Sequence, residues 1–155
     1  MIDPDIKELL LALNAHEVEY LVVGGYAVGV HSEPRATKDL DIFIRANEKN
    51  SVAVYHALAA YGAPLGELTP DDFKDEPASI FQIGMPPNRI DILQSIDGVS
   101  FDEAWQSRIE GLVDGEIPAH VISRDHLIQN KLTIGRAQDI ADVEALRNAA
   151  KEGDL

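Results

Sequence analysis

Three aspartates and a glycine pair carry the chemistry open to this chain of 155 residues. Asp39 and Asp41 lie in Lys38-Asp-Leu-Asp-Ile-Phe-Ile44, where Leu40, Ile42 and Ile44 alternate with Asp39, Asp41 and Phe43. That period of two is a strand, so both carboxylates leave the same face a few ångströms apart. Carboxylates so close repel each other unless a cation lies between them. Oxygen-only ligands suit Mg2+ or Mn2+ held jointly with substrate phosphates. Asp91, in Arg89-Ile-Asp-Ile-Leu93, is turned away from the apolar Ile90 and Ile92 on another strand and is the third member of the cluster. Gly24-Gly25 ends the β-forming run Tyr20-Leu-Val-Val23. Glycines there let backbone approach a ligand, and the helix that follows offers free N–H groups to phosphate.

Each part alone is weak. The glycine pair is not a dinucleotide fingerprint, because Tyr26 fills the middle glycine position. It is not a P-loop, because no Lys-Ser/Thr follows Gly29. Asp39 and Asp41 taken alone are equally an ordinary solvated strand face. The ordered combination of glycines and three acids is what marks a site.

The elements that must position these residues are readable from the pattern. Asp3-Pro4 opens a helix over residues 4–16, with Ile6, Leu9, Leu10 and Leu13 on its apolar face. Tyr20–Val23 is a strand, Tyr26–His31 a short helix, and Lys38–Arg45 the strand of the acid pair. Asn47 caps a helix that Gly62 stops, and residues 63–77 are mostly loop. Two strands, 79–84 and 89–93, are joined by Met85-Pro-Pro-Asn88. Phe101 to about Gly111 reads as a helix, with Trp105 and Phe101 as core, and 117–122 as a last strand. Ser123 caps a helix to Ile134, and Gln138–Ala150 is another, so residues 123–150 form a C-terminal helical pair. The expectation is one domain over 1–155, α/β (α+β), with a mixed, mostly antiparallel sheet of about five strands flanked by helices.

Composition narrows the function. Lysine plus arginine total 13 against 27 acids, a net charge of −14, spread along the chain with no basic arm. A polyanion is a poor partner for such a surface. There is no cysteine, which excludes disulfides, thiolate metal sites and a cysteine nucleophile. The longest apolar run, Tyr20–Val30, is too short for a bilayer, and the N-terminus lacks a cationic leader, so a cytoplasmic location without membrane partners is expected.

The run Val23-Gly-Gly-Tyr-Ala-Val-Gly-Val-His31, then Arg35-Ala-Thr-Lys-Asp-Leu-Asp-Ile-Phe-Ile44, resembles the signature of the DNA-polymerase-β-type nucleotidyltransferase superfamily. It resembles more closely the small bacterial and archaeal nucleotidyltransferase-like proteins related to minimal nucleotidyltransferases and AbiEii-type toxins. The segment Gly84–Leu93 is similar to the strand bearing the third carboxylate, and Lys131-Leu-Thr-Ile-Gly-Arg-Ala-Gln-Asp139 with Asp142 to a C-terminal Lys…Arg…Asp…Asp motif. The likeness runs over roughly residues 18–146.

The resemblance implies a metal-dependent enzyme that moves a nucleoside monophosphate from a nucleoside triphosphate to an acceptor hydroxyl, with a place as a toxin–antitoxin component among its implied roles. Asp39, Asp41 and Asp91 would be catalytic and hold two Mg2+ or Mn2+ ions per site. Gly24, Gly25, Arg35, Thr37, Lys38 and Lys131 would bind the nucleotide phosphates. Asp139 and Asp142 also read as plain salt-bridge partners of Arg136 or Lys131. The acceptor could be a small molecule, a protein or an RNA end, and a homodimer or a cognate toxin or antitoxin are the macromolecular partners expected. The alternative is a non-catalytic module of the same fold, acting as an antitoxin or regulatory binding partner.

Overall fold

The structure, a computed structural model, describes residues 3–33, 39–84 and 88–153. The first helix, α1 (Pro4–Ala15), starts where its sequence says: the Asp3 side chain accepts from the Asp5 amide at 2.8 Å, and proline follows. Its apolar residues Ile6, Leu9, Leu10 and Leu13 are all buried. Strand β1 (Tyr20–Val23) is buried at every position. Helix α2 (Gly24–His31) follows with no intervening loop. It begins at the glycines themselves, two residues earlier than the sequence reading. β2 (Leu40–Ile44) carries Asp41, and α3 (Glu48–Tyr61) lies between an Asn47 side-chain cap and a left-handed Gly62. A 3-10 turn at Pro70–Phe73 interrupts the loop expected over 63–77.

The antiparallel pair β3 (Ile80–Ile83) and β4 (Ile90–Leu93) follows. The Met85-Pro86-Pro87 part of its connection lies outside the described residues. Then come α4 (Phe101–Gln106), β5 (Ile109–Val113) and β6 (Ile117–Val121). The helices α5 (Arg124–Ile134) and α6 (Ala137–Gly153) pack against each other.

The sheet is mixed, with strand order β3-β4-β2-β1-β6-β5. β1 and β2 run antiparallel at its centre, while β4 joins β2 and β6 joins β1 in parallel. The sheet has six strands, not five. The missed one is β5, read from the sequence as the end of a helix. Ser107 closes α4, and Arg108 leads into the pair β5–β6 across Asp114-Gly115. The connection is three residues, Asp114–Glu116: Asp114 and Gly115 have left-handed φ, +53 and +68, and the Glu116 amide donates to the Val113 carbonyl at 3.0 Å, a tight turn of the kind Asp-Gly favours. Gly111 sits mid-strand where a Cβ would crowd Val30, 3.2 Å away, so α2 lies close over this edge.

Aromatic packing ties α4 down. Phe101 meets the ring of Phe43 edge-on at 5.1 Å and stacks on Trp105 at 5.6 Å, so Phe101 and Trp105 both pack against the core, half-buried. Phe43, on the same face of β2 as Asp41, is buried, so only the start of that strand has a polar face. No helix among the described residues is long and apolar enough to cross a membrane.

Candidate active site

The site forms at the end of β1. Val23, the last residue of that strand, pairs with Asp41 near the start of β2. The chain then enters α2 through Gly24 at φ +67, a backbone state open to glycine at little cost. A Cβ on Gly24 would lie 2.3 Å from Asp41 Oδ2 and 3.2 Å from its Cγ. The Asp41 carboxylate is therefore lodged against backbone that only glycine can supply. Val23, the N-cap of α2, makes no side-chain capping bond, and the first turn holds no acid. The N–H groups of that turn, Gly25 included, are those a helix start directs at an anion.

On the other side of β2, the parallel register sets Asp91 of β4 beside Asp41. Paired positions on neighbouring strands share a face, so both carboxylates project together. Asp91 is only 7% exposed. Burial, then the charges of Asp91 and Asp39, push the Asp41 carboxyl up to about 7, against the opposing pull of Lys131 and Arg89. Burial beside two other acids in a cleft marks this carboxyl as a candidate functional group.

Arg89, two residues before Asp91 and on the same face, was given no role in the sequence reading, although strand alternation places it there. Its Nε donates to Asp91 Oδ1 at 3.0 Å and its Nη2 to Oδ2 at 3.2 Å. The same Nη2 is 3.7 Å from Asp39 Oδ2, and the Arg89 amide donates to Asp39 Oδ1 at 3.4 Å. Among the described residues no three acidic or histidine side chains are arranged to hold a metal ion as they stand.

Lys131 stands across a cleft of about 230 Å³ whose walls include Gly24, Asp41, Asn130, Lys131 and Arg136. Its ammonium is not free for a ligand alone. Nζ lies 3.0 Å from Asp142 Oδ2 and 3.4 Å from Asp139 Oδ1. Arg136 adds a fork on Asp139, with Nε donating at 2.7 Å and Nη2 at 3.2 Å, and its amide donates to the same carboxylate at 3.1 Å. This fork holds Asp139 near 2, well below the usual carboxylate range. Asp139 and Asp142 are thus the salt-bridge partners of Lys131 and Arg136. Gly135, left-handed at the end of α5, makes the turn that brings α6 back to close the cluster.

The structure thus gathers Gly24, Gly25, Asp39, Asp41, Asp91 and Lys131 at one end of the sheet. Arg35, Thr37 and Lys38 lie outside the described residues. The histidines take structural places. His31 bonds the Ile122 carbonyl at 2.6 Å, His120 pairs with Glu110 at 2.6 Å, and His126 meets the Ser107 hydroxyl at 2.8 Å.

The state of Asp41 has a pH consequence. A carboxyl at about 7 folded and 3.8 unfolded keeps its proton longer in the native state. Across that window the unfolded chain binds fewer protons, so this group costs stability as pH rises. Thermal unfolding of metal-free protein should show Tm falling between about pH 4 and 7 relative to Asp41→Asn, and levelling above that. Parallel Tm profiles for the two proteins would remove the effect.

A family model described as nucleotidyltransferase of unknown function (DUF6036) matches residues 1–150. Among curated proteins, none matches the sequence. Solved structures do. The crystal structure of ANT(2")-Ia in complex with adenylyl-2"-tobramycin superposes with a TM-score of 0.64 at 15% identity, covering 94% of this chain and 87% of that one. Lincomycin-bound LnuA, a lincosamide antibiotic adenylyltransferase, gives 0.58 at 16% identity, covering 96% and 98%. A Thermotoga maritima protein described as a nucleotidyltransferase gives 0.59 at 16% identity, covering 98% and 96%. At such identities the likeness is one of fold.

Proposed function

Because the chain belongs to the DUF6036 family of nucleotidyltransferases, we propose that it transfers a nucleoside monophosphate from a triphosphate to the hydroxyl of a small molecule, with Mg2+ or Mn2+. The observation that carries this is the Asp41 carboxylate, lodged on Gly24 with Asp91 in register beside it.

The residues fit the metal. The donor set is oxygen-only, and burial together with the charges of Asp91 and Asp39 pushes the Asp41 carboxyl up to about 7. Asp39, Asp41 and Asp91 would hold the ions. When bound, two such ions neutralise charge on the entering and leaving oxygens of an in-line displacement.

The protein's own groups do the positioning. The uncapped start of α2, with Gly24 and Gly25, receives β- and γ-phosphate oxygens on backbone N–H groups. Lys131, pinned by Asp139 and Asp142, presents a fixed positive charge along the cleft wall. Arg35, Thr37 and Lys38 come just before the acid pair in sequence and are further phosphate ligands in this reading. Asp91 takes up the proton of the acceptor hydroxyl. That oxygen then bonds to the α-phosphorus, the bond to the bridging oxygen breaks, and pyrophosphate leaves.

A small acceptor suits both the charge and the fold. At −14 the surface is unfavourable to a polyanion. Two neighbours of the same fold are described with tobramycin and lincomycin, both small molecules. A place in a toxin–antitoxin pair rests on the form Arg35-x-Thr37-x-Asp39-x-Asp41 alone.

The test is incubation with each α-labelled nucleoside triphosphate, Mg2+ and a panel of hydroxylated acceptors, ATP first. Labelled product and pyrophosphate should form, and Asp41→Ala should lose at least about 100-fold in rate. Failure to bind any of the four triphosphates in the presence of Mg2+ or Mn2+ would remove the assignment.

A further inference from the structure

The carboxylate cluster already holds a cation of its own. The Arg89 guanidinium grips both oxygens of Asp91, at 3.0 and 3.2 Å, and reaches to 3.7 Å from Asp39. Two of the three acids thereby face a positive charge supplied by the chain. Their oxygens point at this fork, and no three of the described acidic or histidine groups are set to hold a metal.

We propose that Arg89 is a built-in counter-cation that occupies the place of the divalent ion in the resting protein and gives it up when the ion arrives. This rests on the reading of Asp39, Asp41 and Asp91 as metal ligands.

Three observations support the exchange. First, a two-point fork on a carboxylate uses the in-plane lone pairs that a metal would need, so fork and metal compete for Asp91. Second, the side chain can leave. It is 31% exposed, whereas the Asp91 side chain beneath it is 10% exposed, side chain against side chain. Third, its departure does not require the strand to move. The Arg89 carbonyl accepts from the Leu40 amide at 2.9 Å, which fixes the backbone to β2 while the guanidinium swings. Arginine stays charged at any working pH, so the fork itself is released by the ion and not by its own deprotonation.

The experiment is Mn2+ titration by calorimetry and by loss of the free-ion paramagnetic signal, without nucleotide, at one pH and ionic strength. The proteins are wild type, Arg89→Gln, Arg89→Lys and Asp41→Asn. Arg89→Gln should bind Mn2+ about tenfold more tightly than wild type. It should also melt lower in EDTA and recover with Mn2+. Arg89→Lys keeps the charge but not the fork and should fall between the two, which carries the test if the glutamine variant does not fold. Equal or weaker binding by both Arg89 variants, with wild type still binding, overturns the exchange and leaves the metal site standing. Absence of binding in wild type, or binding that survives in Asp41→Asn, overturns both the exchange and the metal reading.

Discussion

Replacing Gly24 by alanine is expected to abolish nucleotide transfer in a protein that still folds. The added methyl would fall 2.3 Å from Asp41 Oδ2, far inside contact distance. Asp41 cannot retreat, because its backbone is held between β1 and β4, paired with Val23 on one side and Asp91 on the other. The carboxylate must rotate, and rotation toward Asp91 brings like charges closer. A misplacement of about 1 Å at reacting groups costs on the order of 100-fold in rate. The left-handed φ adds strain of about 1–2 kcal/mol. Gly62→Ala separates the two effects. Gly62 has φ +96 with nothing within 4 Å of a new Cβ, so it carries strain without collision. Triphosphate binding and turnover should collapse in the first variant and stay near wild type in the second, with comparable losses in Tm. A Gly24→Ala protein that turns over normally would show that Asp41 does not need its place against the glycine.

The second large effect is on stability. Lys131→Met removes the ammonium from beneath Asp139 and Asp142, which are 0% and 2% exposed. Arg136 still reaches Asp139, but Asp142 loses the cation 3.0 Å from its Oδ2. Removing one partner of a buried ion pair costs about 3–5 kcal/mol. Against a domain stability of about 5–15 kcal/mol, that is enough to bring Tm down by ten degrees or more. Lys131→Met combined with Asp142→Asn should recover a good part of the loss, because the carboxylate charge that faced the ammonium is removed with it. Unfolding curves of the single and double variants measure this directly. A single variant as stable as wild type would mean that Lys131 is held for the ligand and not for the fold.

The cluster that Lys131 joins shows where sequence reading reaches and where it stops. Local rules placed most elements: Asp3-Pro4, Asn47, Gly62 and Ser123 all mark helix ends that the structure uses. Alternation put Asp41 and Phe43 on one face of β2 and turned Asp91 from the core. The β5 strand escaped because Ile109-Glu-Gly-Leu-Val follows a helical stretch directly and carries a glycine that weakens any strand signal. The Asp114-Gly115 turn was the clue, and it needs a strand on each side to be read. The role of Arg89 escaped for another reason. Spacing shows that it shares a face with Asp91, but not whether its charge points to solvent or folds onto the acids. Gly24 was marked for its approach to a ligand. Its closest approach is instead to Asp41, a contact between the first residue of α2 and a residue of β2 that spacing cannot supply.

The two parallel pairings also set an order of assembly. β1 and β2 can pair as soon as the first third of the chain exists. The other edge of β1 is satisfied only by β6, where Val22 meets Val121 about a hundred residues later. Until α6 has followed, Asp139 and Asp142 are not there to fix Lys131 against the cleft. On a ribosome the three mutually repelling acids therefore come together before the opposing positive charge of Lys131 is in place. Completion of this end of the sheet is a late, long-range event, and a chain interrupted before about residue 142 would hold the acids beside Arg89 but without a Lys131 fixed by Asp139 and Asp142.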